Sequence, residues 1–420
     1  MRAVPAPRDD GSALALKSAR RLPIALCRQP AHSRGRGDAM KISQHVWTDS
    51  LGWSPPLPAE ADTAVQLVLA FGSPRQIQRA DLAAAMRAAF PAGVVAGCST
   101  AGEIAGTRVH DETLVATAIR FERSTVDCVD VPVEGDGADA ARSVARALVR
   151  PGLRHVLVLC DGLNVNGSIF AHTLRAALPE GVCATGGLAG DADRFERTLI
   201  YSNDPAGSGA ARSARVVGVG LYGDALRVGY GSHGGWDSFG PARRVTRSRG
   251  NVLFELDGES ALALYKSYLG DHASALPGSA LLFPLLLEDR SGGEGLVRTV
   301  LAVDEAAGSL TFAGDIPEGA QVRLMKANFD RLIDGACGSA SATAGRLDGS
   351  RAELAILISC VGRKLVLRQR IEEEVEAVRE VLPRAVLAGF YSYGELCPQG
   401  NLGSCELHNQ TMTITTLAEA

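Results

Sequence analysis

Leu382-Pro383-Arg384-Ala385-Val386-Leu387-Ala388-Gly389-Phe390-Tyr391-Ser392-Tyr393-Gly394-Glu395-Leu396 decides the fold, because the chain contains altered copies of it. Gly97-Cys98-Ser99-Thr100-Ala101-Gly102-Glu103-Ile104 matches Gly389 to Leu396 without a gap, as Gly-x-x-x-x-Gly-Glu followed by Ile or Leu. Upstream of each octet a proline (Pro91, Pro383) is followed by valine three residues on and alanine five residues on, and Pro179, Val182 and Ala184 repeat that spacing. Each proline follows a helical pattern and ends it, because its ring excludes helical geometry from the residue before it. The helices are expected over 81–89, 169–177 and 365–381. Before each helix stands an apolar run, 65–71, 155–160 or 354–360, which reads as a buried strand. Small and branched residues after each proline suit a second buried strand entering a glycine turn. Alternating strands are expected over 113–121, 198–202, 214–222 and 406–417. The fold class is therefore α/β (α+β): two related lobes of mixed β-sheet flanked by helices, built from repeated β-α-β units with added antiparallel strands.

The 420 residues exceed what one core usually organises. Hydrophobic residues at 46% and charged residues at 21% exclude wholesale disorder and a fibrous repeat. The longest strongly apolar stretch, 280–287, contains Pro284 and falls far short of the roughly 20 residues of a spanning helix. A net charge of −4 leaves no electrostatic footprint for nucleic acid. Nine cysteines, an odd number without a Cys-x-x-Cys pair, argue against a zinc ribbon and read as a reducing cytosol. Residues 1–39 carry eight basic residues and no periodicity, and are expected to be a disordered tail or a leader, with Met40 as the true start. The remaining division is 40–64 as an N-terminal segment, 65–258 as a first domain and 259–417 as a second.

From residue 65 to 417 the chain resembles the FIST sensory proteins, whose consecutive domains are called FIST-N and FIST-C. The residues that carry the resemblance are Gly97 through Glu103, Asn251-Val252-Leu253-Phe254-Glu255-Leu256-Asp257-Gly258, and Ala263-Leu264-Tyr265 with Tyr268-Leu269-Gly270. Ser359-Cys360-Val361-Gly362-Arg363 and Gly389 through Glu395 continue it, and Cys405-Glu406-Leu407-His408-Asn409-Gln410-Thr411 completes it. The resemblance implies an intracellular signal-input module that works beside a histidine kinase or a cyclic-di-nucleotide signalling protein. One bacterial branch of the family is similar to haem-containing nitric-oxide sensors, which implies haem as cofactor.

Candidate ligand-binding residues are those of the glycine turns and the terminal signature. They are Gly97, Cys98, Ser99, Gly102 and Glu103; Gly186 and Gly187; Tyr391, Tyr393, Gly394 and Glu395; and Cys405, His408 and Asn409. Ligands favour the carboxyl ends of such strands, where backbone N–H groups line a cleft; the other reading is that glycine merely permits the turn. Glu103 and Glu395 suit an ammonium or guanidinium group, or equally the capping of the next element. For haem iron the candidates are His233, flanked by glycines, and His408 on the last strand; His45, His110, His155, His172 and His272 read as structural or solvated. Cys397-Pro398 is a weak haem motif beside a simple turn. The chain is thus expected to be a cytosolic, non-enzymatic small-ligand sensor acting through a partner kinase, in its sharpest version haem-bound and responsive to nitric oxide. Sensing of amino acids or related metabolites is the second reading, and a cysteine-dependent hydrolase using Cys98 the third.

Overall fold

The computed structural model describes residues 40–203, 209–289, 295–399 and 404–420; the expected tail over 1–39 lies outside them. Three strand–helix–strand units follow one another. The first comprises β1 (Lys41–Thr48), β2 (Gly52–Ser54), β3 (Leu67–Gly72), α1 (Pro74–Ile77), α2 (Ala80–Ala89), β4 (Val94–Ser99), β5 (Glu103–Ala105), β6 (Arg108–His110) and β7 (Leu114–Arg120). The second comprises β8 (Thr125–Pro132), α3 (Ala138–Leu148), β9 (Leu153–Cys160), α4 (Gly167–Ala177), β10 (Cys183–Leu188), β11 (Ile200–Ser202) and β12 (Arg215–Tyr222). The third opens with β13 (Leu226–His233) and is interrupted by an inserted sheet. It resumes with α6 (Phe329–Ala344), after α5 (Ala261–Leu269) of the insertion. The insertion's strands are β14 (Asp237–Arg249), β15 (Val252–Leu256), β16 (Glu259–Ser260), β17 (Leu285–Leu287), β18 (Leu296–Arg298), β19 (Val300–Asp304), β20 (Ser309–Phe312) and β21 (Gln321–Lys326). The third unit ends with β22 (Leu354–Cys360), α7 (Val361–Leu367), α8 (Ile371–Val381), β23 (Val386–Ser392), β24 (Gly394–Gln399), β25 (Ser404–His408) and β26 (Met412–Glu419). Among the described residues no helix is long and apolar enough to cross a membrane.

Each unit builds one six-stranded sheet, and the sheets are tied together by a cyclic exchange. In order they run β11-β4-β3-β7-β1-β2, then β25-β24-β10-β9-β12-β8, then β13-β26-β22-β23-β5-β6. In each unit the strand before the helix lies parallel to the strand after it (β3 with β4, β9 with β10, β22 with β23), and the pairs that flank them are antiparallel. The strands after each glycine turn leave home. Those of the first unit (β5, β6) extend the third sheet, those of the third (β24, β25) extend the second, and β11 of the second extends the first. The turns themselves are bonded in the same cycle. Ala101 N–H donates to Tyr391 O at 2.8 Å, Gly190 N–H to Ser99 O at 2.9 Å, and Tyr393 N–H to Leu188 O at 3.1 Å.

The strand period of two divides the apolar residues. Leu67, Leu69 and Phe71 of β3 point into a core shared by all three sheets, where they meet Leu157, Leu159, Leu354, Ile356 and Phe390. The Phe71 and Phe390 rings are 4.7 Å apart. Val68 and Ala70 point the other way, onto Leu82 and Met86 of α2. Two expected elements are broken where a chain must change partners. The helix expected over 365–381 is two helices, parted at Arg368 with its positive φ of 50°. The strand expected over 406–417 is β25 and β26, which belong to different sheets, with Gln410 at φ 58° in the turn between them.

Gly97 and Gly389 lie within β4 and β23 and answer to neither reading of the glycines. A Cβ on Gly389 would sit 1.8 Å from Leu357 O of the paired strand, and one on Gly97 2.1 Å from Ala70 O. Glycine is required by the approach of the neighbouring carbonyl. Gly389→Ala is therefore expected to cost about 3 kcal/mol or more. In a urea titration the midpoint should fall with an unchanged slope; an unchanged midpoint would refute the close approach.

Candidate functional site

The register of the parallel pairs aligns the loops that leave β3, β9 and β22. Leu67 pairs with Val94, Leu354 with Val386, and His155 with Cys183, next to Val182. Gln76, Leu163 and Arg363 then occupy equivalent positions. Gln76 is 0% exposed, and its Nε2 donates to Glu112 O at 3.3 Å. Arg363 is also 0% exposed and is held by the Glu374 carboxylate, with Nη2 to Oε2 at 2.8 Å. In the first and third units a polar side chain thus plugs the carboxyl end of the parallel strands. In the second the residue is Leu163, 41% exposed, and the end is open.

The opening is a cleft of about 400 Å³, a size suited to a small molecule. One wall is the turn after β9 and the first residue of α4: Gly162, Leu163, Asn164, Val165, Asn166 and Gly167. Leu188, Phe195 and Tyr393 form the floor, while Asn251, Leu301 and residues 312–315 of the inserted sheet close the far side. Local chemistry builds each wall. The Asp161 carboxylate, wholly buried, accepts from Leu163 N at 2.9 Å and Asn164 N at 3.1 Å, which folds the turn tightly. The Asn166 side chain caps α4 by accepting from Ser168 N and Ile169 N. Asn251 Nδ2 donates to Phe312 O at 2.7 Å and holds the inserted wall.

Asp191 governs the floor. It follows Gly190 as Glu103 follows Gly102 and Glu395 follows Gly394, so it is the third acid of the repeat. Its carboxylate accepts from Phe195 N at 2.9 Å, Glu196 N at 2.9 Å and Arg197 N at 2.8 Å, and from the Tyr393 hydroxyl. Burial works to raise the Asp191 carboxyl, but Tyr393 and the three backbone donors outweigh it and hold it below the usual range. The loop so held sets Phe195 at a positive φ of 54°, an uncommon conformation for an aromatic residue. Its ring stacks on Tyr393 at 4.4 Å and stays 46% exposed. Leu163, Phe195 and Leu301 are three of the seven large hydrophobic side chains exposed among the described residues, and all three line this cleft. Such concentration of exposed apolar surface marks a binding site.

Of the residues singled out from sequence, the structure brings Tyr393 to the cleft and leaves the others behind it. Gly186 and Gly187 lead in β10 to Leu188 of the floor. Gly97, Ser99, Gly102, Tyr391 and Gly394 belong to the strand ends and turns where the units meet. Glu103 is buried, accepting from Thr113 N at 3.2 Å and from the hydroxyls of Thr100 and Thr113. Glu395 accepts from Ser392 Oγ at 2.7 Å and Thr411 Oγ1 at 2.9 Å. Burial pushes the two carboxyls up, to about 7 and about 8, against the pull of those hydroxyls. Each ties together the buried groups around it. Across the hairpins Glu103 stands opposite His110, the last residue of β6, and Glu395 opposite His408.

Cys98 is fully buried, and burial together with the Glu103 charge pushes its thiol well above the ordinary range. It has neither the access nor the acidity of a nucleophile. Cys405 is buried in the same way, and so is Cys397 of the Cys-Pro pair. Asn409, wholly buried, lies against Gly394. The two histidines do not converge. His408 Nδ1 is 3.4 Å from Ser232 Oγ and its Nε2 is 3.1 Å from Cys397 O, so both ring nitrogens are engaged. His233 lies against Gly338 of α6, and adjacent residues of a strand point to opposite faces. Among the described residues no group of three or more His, Cys, Asp or Glu side chains is placed to hold a metal ion.

Sequence reasoning missed Leu163, Phe195 and the stretch 312–315. The repeat itself held a signal for the first, once the strands are paired. In the inserted wall Asn251 opens one of the stretches that carry the family resemblance, and the rest had no signal.

Family models match almost the whole body of the chain: the FIST N domain over residues 66–259 and the FIST C domain over residues 261–398. The junction between them falls inside the inserted sheet, between β16 and α5. A search of curated proteins returns no match. Among solved structures, a cyanuric acid hydrolase from A. caulinodans is similar at a TM-score of 0.32 and 11% identity, over 90% of this chain and 99% of that one. That likeness is too distant to bear on chemistry.

Proposed function

The chain belongs to the FIST family, a family of small-ligand sensor domains in signal transduction, and from that premise we propose that its ligand is a small metabolite bound in the cleft at Leu163. One observation carries the reading: of three equivalent strand ends, two are plugged by buried Gln76 and Arg363, and the third is open and lined by exposed apolar side chains. The class of ligand is that of amino acids and related metabolites. Binding without catalysis is the role, since Cys98 offers no nucleophile. Output passes to a separate signalling protein such as a histidine kinase, which requires that ligand-free and ligand-bound forms differ in affinity for it. The cleft lies between the three-sheet body and the inserted sheet, so a ligand touching both walls favours one arrangement of them.

Three observations speak against haem at the two histidines considered for it. His408 has both nitrogens engaged within the sheets, His233 is pressed against α6, and neither is among the cleft residues.

The test is a thermal-shift screen of amino acids and their derivatives against the intact chain and against Leu163→Arg, which imports the plug of the third unit. A ligand is expected to raise Tm in the parent, as binding to the native state must, and to have no effect on the variant. A hit that persists undiminished in Leu163→Arg would remove the cleft as the site. An empty screen, together with a saturable one-to-one Soret band that moves with nitric oxide, would replace the metabolite reading by the haem reading.

A further inference from the structure

The floor of the cleft narrows the ligand class, on the premise that the cleft is the binding site. Phe195 is fixed there more firmly than an exposed side chain needs. Its N–H donates to the Asp191 carboxylate at 2.9 Å and lies 3.3 Å from the Tyr393 hydroxyl, which itself donates to Asp191 and stands 3.1 Å from Ala192 O. The loop bends through two left-handed residues, Ala192 at φ 65° and Phe195 at φ 54°. Such backbone is costly, persists only where its surroundings impose it, and gathers at ligand clamps. The result is a ring held flat. It lies 4.4 Å from the Tyr393 ring with 13° between the planes, so one face is covered, yet 46% of the residue stays exposed. That exposure leaves the opposite face open to a third ring. Three asparagines of the lining keep unused polar groups. Asn166 Oδ1 caps α4 and leaves its Nδ2, while Asn164 Nδ2 donates to Asp161 and Asn251 Nδ2 to Phe312 O, which leaves both carbonyl oxygens. One amide donor and two acceptors suit a polar end of either charge.

We propose that the ligand is an aromatic metabolite of amino-acid size, its ring stacked on Phe195 as a third layer over Tyr393 and its polar end among the asparagine amides. Leu163 and Leu301, exposed in the same cleft, supply further apolar surface. A saturated ring of equal size would bury a similar area there, but offset stacking of aromatic rings adds to what area burial gives. The floor therefore selects the ring, and the amides receive a carboxylate, an ammonium group or both.

Paired probes separate ring from head group: phenylalanine, phenethylamine and 3-phenylpropanoate, each beside its cyclohexyl counterpart. In calorimetric titrations of the intact chain at least one phenyl probe should bind, several-fold more tightly than its cyclohexyl counterpart. Phe195→Leu should bring the two affinities together with little change in the cyclohexyl one, and Phe195→Tyr should preserve the preference. A purely structural Phe195 would instead weaken both probes alike in the leucine variant. Equal binding of phenyl and cyclohexyl probes by the parent, a preference that survives Phe195→Leu, an equal loss of both in that variant, or no binding of any probe would overturn the assignment. If the leucine variant does not fold, the ratio in the parent decides alone. In each overturning case, a screening hit that is lost on Leu163→Arg keeps the cleft as the site, and the lack of any such hit overturns both.

Discussion

Arg363→Met is expected to destabilise the protein by about 3–5 kcal/mol, the cost of leaving one member of a buried ion pair alone. Arg363 and Glu374 are both 0% exposed and face each other through Nε and Nη2 to Oε2 at 3.0 and 2.8 Å. The pair satisfies several neighbours besides. Arg363 donates to Gly234 O at 2.5 Å and Leu332 O at 2.7 Å, while Glu374 Oε1 accepts from Tyr391 OH at 2.8 Å and Ser359 Oγ at 3.2 Å. Five elements, α6, α7, α8, β22 and β23, and the residue that follows β13 therefore converge on one network. Methionine fills much of the space but leaves Glu374 charged in a dry site. The double variant Arg363→Met/Glu374→Met removes the stranded charge and should recover more than half of the loss, since an apolar pair often equals a buried ionic one. Urea unfolding of the two singles and the double closes the cycle. A single-variant loss below about 1 kcal/mol, or a double loss equal to the sum of the singles, would show that the pair is not coupled in this way.

The same arginine shows how far the fold could be read in advance. Apolar runs, prolines and the glycine octet identify the repeated units because they obey local rules: strand burial, helix termination, close backbone approach. Gly97 and Gly389 stood out for such a reason, although the cause is a carbonyl 2.1 or 1.8 Å from a Cβ and not a ligand. What local rules do not contain is which strand pairs with which. Nothing about Glu103 to Ala105 announces that β5 joins the third sheet, where Glu103 meets Phe390, 287 residues further along the chain. Without that pairing, Arg363 is one signature residue among several and Leu163 an ordinary leucine. Their equivalence, with Gln76, appears only when the parallel strands are set in register. The third acid was hidden for another reason: Leu188 replaces the hydroxyl residue found at Thr100 and Ser392, so Asp191 turned instead to backbone donors and Tyr393. That exchange made the floor of the cleft. Where the repeat departs from itself, the candidate cleft opens.

Glu395→Gln should abolish a large pH dependence of stability that lies between about pH 4.5 and 8. Burial raises the Glu395 carboxyl to about 8 in the folded chain, from an ordinary value near 4.5. The folded state therefore keeps a proton that the unfolded chain releases. Stability contributed by the protonated acid is fully present below about 4.5, declines as pH rises between the two values, and is gone above about 8. At about 1.4 kcal/mol per pH unit the interval amounts to roughly 4–5 kcal/mol. Glu103, raised to about 7, adds a smaller loss of the same sign over a narrower window. Glutamine imitates the protonated acid atom for atom. Its amide nitrogen can donate to Ser392 Oγ, and its oxygen can accept from Thr411 N and Oγ1 as Glu395 Oε2 does. The variant should match the parent at pH 5 and exceed it in stability at pH 9, measured by urea unfolding at both. If the difference between pH 5 and pH 9 is the same in the two proteins, Glu395 is ionised throughout, and the hydroxyls of Ser392 and Thr411 outweigh the cost of burying its charge.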